Sequence, residues 1–533
     1  MLRRLAAAGF ILTALLLAAP APARAQCTAA TGPCLTIQDV RDAVRAAVTA
    51  VNGNMVVGVV DRGGNPLAVF VKGPEPLTVA GNFGRPVNPR DQAIGLARTG
   101  AFFSNDQAPL SSRTVRFISG IHFPPGVENK PPAALYGIEN TNRGCAFNVA
   151  FNPGVPDIPR ATSVLGGACN ANNGAPPTTA GCGTGIVTGK ADVFDSNPEA
   201  ANGGGVPIFK AGRVAGGIGV TGLPLDQAEF AAFVGSLGFS PLFGPVVPDP
   251  GAVVLDGIRL PFVNNATRPA GTTPGTFPGP AGSGFVLGPV ASPYGPLGPP
   301  SGYLVGPRAS TVNPQLTVDA VDTIIQRAID QAQRTRAAIR LPLGSQTRMV
   351  IAVGDSAGRI LGLFRMADAT IFSIDVAVAK ARNAAYFSSP ARDPRDMPGF
   401  PLGFAMTART LGFGAQPLFP AGIDGTAPGP FFVNYLRDVD NVCTQGFHAP
   451  NVNQSGIVFF PGSIGLYDGM SLIGGLGVSG DGVEQDDLVT AAGAGCPDCP
   501  FSFVAPPEIR ADRVVIDGVR LPFFKFPRNP EVQ

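Results

Sequence analysis

The chain of 533 residues contains the same sequence pattern twice, in the same order. Six blocks in the first half match six blocks in the second half. The matched ranges are 35–51 with 316–332, 56–71 with 349–366, 91–104 with 375–388, 112–128 with 408–424, 214–222 with 472–480, and 253–262 with 514–523. Repeats of this length form complete domains, whereas the units of a solenoid are only about 20 to 50 residues long. The sequence therefore predicts two tandem domains of one fold, which we call copy 1 and copy 2.

The domain boundaries follow from where the matched blocks begin and end. Copy 1 is predicted to span 35–263, with a larger insertion at 140–203 than copy 2 has. The stretch 264–314 is rich in Pro, Gly, Thr and Ser, a composition typical of a flexible or extended linker. Copy 2 is predicted to span 316–533.

Helical and strand patterns are clearest in copy 2. The predicted elements, in order, are a helix at 318–332, a hairpin at 349–365, a helix at 374–387, a hairpin at 465–478 and a helix at 485–492. Thr317 and Ser373 stand where helix N-caps are expected. Copy 1 gives the same order, so each domain is predicted to be α+β, with an antiparallel sheet flanked by helices. Glycines in the two matched GGxGV runs are expected to let a neighbouring backbone approach closely.

The N-terminal residues have the three parts of a secretory signal peptide. Arg3 and Arg4 precede an apolar run at 6–19, and Ala23 and Ala25 flank a small-x-small cleavage site. The apolar run is shorter than the roughly 20 residues that span a bilayer, and no later run is long enough. We therefore expect 1–25 to be a signal peptide and the mature protein to be periplasmic or secreted, without a membrane span.

Charge and motif content argue against several classes of protein. A net charge of +2 does not supply the basic stripe of a nucleic-acid-binding protein. The sequence contains no G-x-S-x-G elbow, H-E-x-x-H motif, P-loop or Rossmann glycine fingerprint in a suitable context. With two histidines and one C-x-x-C, a zinc site is not expected.

Eight cysteines in an exported protein predict disulfides. Short spacing favours Cys27 with Cys34 and Cys169 with Cys182, so we expect bonds within each copy. Cys145 and Cys443 occupy similar places in the two copies. The pair Cys496 and Cys499 forms a C-x-x-C in a Gly-rich loop, which favours a structural over a redox role.

Some charged residues recur at matched positions in both copies. Arg113 matches Arg409, and such arginines usually tie a loop to the core through carbonyl or carboxylate oxygens. Asp256 matches Asp517 in a V-[LI]-D-G sequence, which is more typical of a turn than of acid–base chemistry.

Copy 2 carries a set of short motifs in a fixed order. The pattern is V-D-x-x-G, R-M-D-x-A, a K-A-x-x-A helix and G-G-x-G-V-S-G-x-x-x-x-Q-D. Copy 2 matches it through Asp355, Gly358, Arg365, Met366, Ala369, Lys380, Ala381, Ala384, Gly475, Gly477, Ser479, Gly480, Gln485 and Asp486. Copy 1 keeps the glycines but has Val71, Lys72 and Leu96 in place of Arg365, Met366 and Lys380. By these motifs copy 2 resembles the GlcG/HbpS-like haem-binding family, which also carries a haem-degrading label. The resemblance implies a sheet of about five antiparallel strands flanked by helices, haem or another tetrapyrrole as ligand, and a possible homo-oligomer.

Three residues of the family pattern are candidate haem contacts in copy 2. Arg365 and Lys380 could pair with haem propionates, although a surface charge is the alternative role for each. Met366 could ligate or adjoin the haem iron, although ordinary packing is its alternative role. Because copy 1 lacks all three, copy 2 is expected to be the better site.

The two histidines are the remaining candidate cofactor-binding residues. His122 lies in copy 1 within ISGIHFPPG and could be an axial ligand of haem iron. His448 lies in a loop of copy 2 with no evident counterpart in copy 1. For both, a structural hydrogen bond is the alternative role.

The leading hypothesis is an exported tandem-domain protein that binds haem or a similar tetrapyrrole without catalysis. One alternative is an enzyme acting on haem or a small organic molecule through Lys380 or His122. Another is a structural or assembly protein without a ligand. Binding of haem would distinguish a binding protein from a structural protein. Formation of a product would distinguish an enzyme from both.

Overall fold

The computed structural model describes most of both copies. The described residues are 33–145, 147, 186–188, 194, 196–197, 201, 203–237, 252–278, 297–441, 443–496 and 499–532. The predicted signal peptide at 1–25, most of the insertion at 140–203, and Cys27, Cys169 and Cys182 lie outside them.

Copy 1 folds into a sheet between helices. Its strands are β1 (Met55–Asp61), β2 (Pro66–Lys72), β3 (Val79–Ala80), β4 (Pro86–Val87), β5 (Gly205–Lys210), β6 (Arg213–Thr221), β7 (Val254–Leu255) and β8 (Ile258–Arg259). Its helices are α1 (Ile37–Ala50), α2 (Pro89–Phe103), α3 (Ser112–Phe117) and α4 (Leu225–Leu237). The main sheet is antiparallel, in the order β2-β1-β6-β5.

Copy 2 repeats this arrangement and adds one strand. Its strands are β9 (Gly302–Val305), β10 (Val350–Asp355), β11 (Ile360–Arg365), β12 (Ser463–Asp468), β13 (Ser471–Ser479), β14 (Val515–Ile516) and β15 (Val519–Arg520). Its helices are α5 (Val318–Arg334), α6 (Phe372–Phe387), α7 (Ala408–Gly414), α8 (Phe432–Asp440) and α9 (Val483–Ala494). The antiparallel sheet has the order β12-β13-β10-β11-β9.

The sheet registers show that the two copies share one fold. Val56 pairs with Val71 in copy 1, and the matched residues Val350 and Arg365 pair in copy 2. The predicted α+β class is confirmed. Five strands form the sheet of copy 2, and four form the main sheet in the described part of copy 1.

Helix starts follow the predicted capping in one case and differ in another. The Thr317 side chain accepts a hydrogen bond from the Ala320 amide at 3.1 Å and so begins α5. Helix α6 instead begins at Phe372, and the Ser373 hydroxyl lies within hydrogen-bond distance of the Thr370 hydroxyl. Ser373 is therefore inside the helix and not its N-cap.

Glycines in β6 and β13 allow one helix to lie directly on each sheet. A Cβ on Gly219 would collide with the carbonyl oxygen of Ala93 in α2. A Cβ on Gly477 would collide with the carbonyl oxygen of Ala377 in α6. The predicted close backbone approach is confirmed in both copies.

The matched arginines and aspartates have the predicted structural roles. Arg113 Nε donates to Glu229 at 2.5 Å in copy 1, and Arg409 Nε donates to Asp487 at 2.6 Å in copy 2. Asp256 and Asp517 both have positive φ, at 51° and 52°, in the turns of the β7–β8 and β14–β15 hairpins. Both turns continue with a glycine, as expected for tight hairpins.

The segment predicted as a linker is structured at both of its ends. The Asn52 amide donates to the Thr273 carbonyl at 2.8 Å, and the Phe277 ring stacks on Phe70 in copy 1. Residues 302–305 form β9, which pairs with β11 in copy 2. The ends of the stretch 264–314 are thus parts of the two domains.

The two copies are joined by a disulfide and by buried contacts. Cys145 of copy 1 is bonded to Cys443 of copy 2. The expectation that disulfides form only within a copy is therefore wrong. These two cysteines meet because the segment around position 140 lies on copy 2. There the side-chain amide of Asn140 donates to the Asp438 carboxylate at 2.9 Å. Cys496 and Cys499 are bonded to each other.

The crossing segment also gives a buried carboxyl group a proton-dependent role. The Asn142 amide donates to Asp375 at 2.7 Å, and burial raises the pKa of Asp375 to about 6. The folded state therefore holds this proton to a higher pH than the unfolded chain, and stability falls as pH rises from about 4 to about 6.

We expect Asp375→Asn to raise the free energy of unfolding by about 2 kcal/mol near pH 7.5. Near pH 4 the substitution should change the free energy of unfolding little. The amide oxygen of the variant can still accept from Asn142, while the ionisation is removed. Urea unfolding of both proteins at the two pH values measures the difference. If the variant and the unmodified protein differ in unfolding free energy by the same amount at pH 4 and at pH 7.5, this role for Asp375 is contradicted.

Candidate functional site

A cavity of about 580 Å³ lies between the two copies. Copy 1 contributes residues 118 and 134–135 of the segment after α3 and the β7–β8 hairpin. Copy 2 contributes the segment after α5, the end of β13, the start of α9 and the C-terminal residues 525–528. Its apolar wall includes Ile118, Leu135, Leu255, Ile339, Phe372 and Phe460. The volume is in the range of about 300 to 1,000 Å³ that is usual for small-molecule sites.

Cationic side chains lie at the edge of this inter-copy cavity. Arg336 donates to the backbone carbonyls of Asn529 and Arg528, which holds the C-terminal segment against it. Lys525 is paired with Glu484. Arg528 is exposed, and its side chain makes no hydrogen bond or ion pair within the described part of the chain.

The charges at the edge leave a positive excess for a ligand. The charge of Lys525 neutralises that of Glu484. The remaining charges are the two positive charges of Arg336 and Arg528 and the one negative charge of the exposed Asp256. A cavity that combines apolar walls with two arginines in its lining suits a largely apolar molecule that carries carboxylates.

A buried ion pair forms part of the cavity wall. Lys380 Nζ in α6 donates to Asp486 Oδ2 at 2.9 Å and to the Val478 carbonyl at 2.7 Å, and it lies over the Phe460 ring. Burial lowers the pKa of Lys380 and raises that of Asp486 to about 7. The other carboxyl oxygen of Asp486, Oδ1, is buried without a hydrogen-bond partner. Asp486 therefore brings an unused polar atom to the lining of the cavity.

The equivalent positions in copy 1 are both apolar. Leu96 stands in place of Lys380, and the gap-free match after β6 places Ala228 where copy 2 has Asp486. Both members of the pair are replaced together, as expected if neither charge is tolerated alone in a buried position.

The other family-pattern candidates contact their own chain. Arg365 is buried and donates to the carbonyls of Pro299 and Ala369. Met366 is buried, and its sulfur lies 3.3 Å from the Met349 amide. Neither residue lines the inter-copy cavity, and Lys380 reaches it only through Asp486.

The two histidines lie at separate places. His122 is buried where the copies meet, with Nδ1 2.9 Å from the Lys130 carbonyl and Nε2 3.1 Å from the Asp424 carboxylate. His448 is half-buried and stacks on Tyr386, with a ring separation of 4.2 Å. The structure thus brings the five predicted residues to no common site.

The lining of the inter-copy cavity can be compared with the chemical groups of haem. The apolar walls and the edge arginines suit a porphyrin and its carboxylates. No His, Met, Cys or Tyr is among the described residues that line the inter-copy cavity. Within the described part of the chain, no group of three or more His, Cys, Asp or Glu residues could hold a free metal ion. The cavity therefore fits the organic part of haem and supplies no side-chain ligand for iron.

Sequence reasoning missed most of this cavity. Arg336 and Arg528 stood outside every recognised motif, and the wall of copy 1 joins the cavity only through domain packing. Asp486 was part of the quoted Q-D motif. The joint replacement by Leu96 and Ala228 was the available signal that Lys380 and Asp486 are a pair.

A protein-family model matches copy 2. A family model described as haem degrading protein HbpS-like matches residues 316–495. This match confirms the resemblance to the HbpS-like family for copy 2. The match does not extend to copy 1, whose relation to copy 2 rests on the repeated blocks and the shared strand order. No curated protein matches the chain.

Two solved structures are similar to part of the chain. One is the Klebsiella pneumoniae protein ORFY, of family DUF336, at 19% identity over 33% of this chain and 86% of that chain, with a TM-score of 0.22. The other is a PduOC:heme complex, at 23% identity over 34% of this chain and 95% of that chain, with a TM-score of 0.22.

No helix in the described ranges is both long and apolar enough to cross a membrane.

Proposed function

We propose that this protein is an exported, non-catalytic binding protein that holds haem or a related tetrapyrrole between its two copies. The observation that carries the proposal is the inter-copy cavity of about 580 Å³, with apolar walls and with Arg336 and Arg528 at its edge. The HbpS-like match of copy 2 supports the ligand class. The expected signal peptide and the disulfide bonding of all five described cysteines support export to an oxidising compartment.

In this proposal the porphyrin faces pack on the apolar walls and its carboxylates meet the edge arginines. Apolar burial supplies most of the affinity, and the arginines fix the orientation through charge-assisted hydrogen bonds. Both copies are needed, because Leu135 and Leu255 of copy 1 and Ile339 and Phe460 of copy 2 all line the cavity.

Charge reversal at the edge tests the role of Arg528. We expect Arg528→Glu to weaken haem binding about tenfold or more, because a carboxylate loses one charge-assisted partner and meets a like charge. Arg513→Glu is the matched control, since Arg513 is exposed, outside the cavity lining, and gives the same change in net charge. Absorbance titration of the purified proteins measures both affinities. Equal weakening by the two variants would show a general charge effect and count against the proposed edge contact.

A second candidate function is an enzyme that acts on haem or a small organic molecule. The observation that favours it is the unpartnered Oδ1 of Asp486 in the cavity lining, together with a pKa near 7 that suits proton transfer. Neither Lys380 nor His122, the residues that the sequence suggests for this role, is among the described cavity-lining residues. Formation of a product from haem and a reductant, abolished by Asp486→Asn in a protein that stays folded and still binds haem, would establish this function.

A further inference from the structure

A second cavity, which we call the aromatic cavity, lies in copy 2 beside the C-terminal segment. Its volume is about 520 Å³, within the range of about 300 to 1,000 Å³ that is usual for small-molecule sites. Phe526 is 48% exposed, so the cavity opens to solvent on its side. The aromatic cavity and the inter-copy cavity share Phe526 and no other described lining residue. Most of the lining is apolar and includes Ile464, Val504, Pro522, Phe523, Phe524 and Phe526.

Two side chains of opposite charge, Arg510 and Asp512, also line the aromatic cavity. Because they are two residues apart, their Cα atoms are separated by at most about 7 Å. They nonetheless form no ion pair with each other. Glu508 and Arg513, which flank them in the sequence, are exposed and lie outside the described lining. The cavity thus holds one cation and one anion close together but unpaired.

The guanidinium of Arg510 is held in place and keeps unused donors. Its Nε donates to the Ala505 carbonyl at 2.9 Å, and the group lies over the Phe523 ring at 5.6 Å from the ring centre. Its two terminal nitrogens make no hydrogen bond or ion pair with the described residues. Two adjacent N–H groups of a guanidinium match the two oxygens of a carboxylate.

The carboxylate of Asp512 has no partner within the described part of the chain. Its Oδ1 is buried and accepts no hydrogen bond, and the group forms no ion pair. The Ala511 amide donates to the Ala405 carbonyl at 2.9 Å, which fixes the backbone next to this residue. A buried polar atom without a partner is costly and uncommon. A ligand with a positively charged donor would satisfy the carboxylate.

The charged groups behind the lining have their own partners. Asp487 is paired with Arg409 at 2.6 Å, and Lys525 is paired with Glu484. Arg327 donates to two backbone carbonyls of the loop after α9. None of these five residues is among the described lining residues of the aromatic cavity. The lining itself therefore presents one charge of each sign.

Copy 1 shows that the fold does not require this pair of charges. Continuing the match of 253–262 with 514–523 toward the N-terminus, without a gap, places Asp249 and Gly251 opposite Arg510 and Asp512. The β7–β8 hairpin of copy 1 forms as the β14–β15 hairpin of copy 2 does. The positive and the negative charge are thus lost together, as expected if they serve one ligand.

We propose that the aromatic cavity binds a free α-amino acid with an apolar side chain, independently of the tetrapyrrole proposed for the inter-copy cavity. Arg510 donates to the carboxylate of the ligand, and Asp512 accepts from its ammonium group. The apolar side chain packs on Phe523 and Phe524. An α-amino acid carries its two charges on neighbouring atoms of one carbon, which matches two charged side chains that lie close together and are unpaired.

Calorimetric titration of the full chain with L-phenylalanine and L-leucine tests this proposal. We expect at least one of them to bind with a Kd of about 1 mM or tighter. The analogues without the ammonium group are 3-phenylpropionate and 4-methylpentanoate, and those without the carboxylate are 2-phenylethylamine and 3-methylbutylamine. Both analogues of the amino acid that binds, and also glycine, should bind at least about tenfold more weakly than it does.

Asp512→Asn keeps the shape of the side chain and removes its charge, so it should weaken amino-acid binding about tenfold and leave haem binding unchanged. Asp517→Asn is the matched control, because Asp517 is exposed and outside the described lining and the change in net charge is the same. It should leave amino-acid binding unchanged. Absence of binding by both amino acids, an analogue that binds as tightly as its amino acid, or unchanged affinity in a folded Asp512→Asn protein would overturn the proposal.

Discussion

Replacing Lys380 by Leu is expected to destabilise the protein by about 3 kcal/mol or more at pH 8. The substitution leaves Asp486 buried without its cation, and removing one partner of a buried pair usually costs about 3 to 5 kcal/mol. Asp486 has a pKa raised by burial to about 7 and can take up a proton instead. The loss of stability should therefore be smaller near pH 5 than near pH 8. Urea unfolding at both pH values measures it.

Copy 1 supplies the matched control for this prediction. The double variant Lys380→Leu/Asp486→Ala reproduces the Leu96 and Ala228 that copy 1 carries at these positions. Because both charges are gone, we expect its stability to return to within about 1 kcal/mol of the unmodified protein. A double variant no more stable than Lys380→Leu alone would show that the ion pair is not what this position requires.

Removing the disulfide between the copies is expected to cost about 2 to 5 kcal/mol. Cys145 and Cys443 are separated by 298 residues, so their bond closes a very long loop and restricts the unfolded chain strongly. The variant Cys145→Ser/Cys443→Ser should therefore unfold at lower urea concentration under oxidising conditions. It should also bind a tetrapyrrole less tightly, because the cavity needs both copies in place.

Cys496 and Cys499 provide the comparison, because their bond has a sequence separation of only 3. Closing so short a loop restricts the unfolded chain far less, and Cys496→Ser/Cys499→Ser should lose less than about 2 kcal/mol. If Cys496→Ser/Cys499→Ser loses as much unfolding free energy as Cys145→Ser/Cys443→Ser, the larger stabilising role given to the inter-copy disulfide is contradicted.

The repeated blocks were sufficient to predict the fold of both copies. Alternating and helical apolar patterns report which face of an element is buried, and this depends mainly on local sequence. The pattern could not reveal β9, because Gly302–Val305 is a short strand in a stretch whose composition is typical of a linker. Its assignment to the sheet depends on pairing with β11, a contact that composition does not encode.

The candidate site was predictable only in part, for a physical reason. Motifs identified Lys380 and Met366, but a charged or apolar side chain in a motif can serve packing as readily as binding. In the structure Lys380 neutralises Asp486, and Met366 is buried in the core. The lining of the inter-copy cavity combines residues far apart in sequence, such as Leu255 and Arg528, and only the packing of the two domains brings them to one cavity.

The most direct test of the central proposal compares haem with metal-free protoporphyrin in titrations of the same purified protein. The described lining of the inter-copy cavity supplies apolar walls and edge arginines but no side-chain iron ligand. We therefore predict that the two compounds bind with Kd values within about threefold of each other, and that Arg528→Glu weakens both about tenfold. Failure of both compounds to bind, or haem binding more than about thirtyfold tighter with the absorbance spectrum of a ligated iron, would contradict the account.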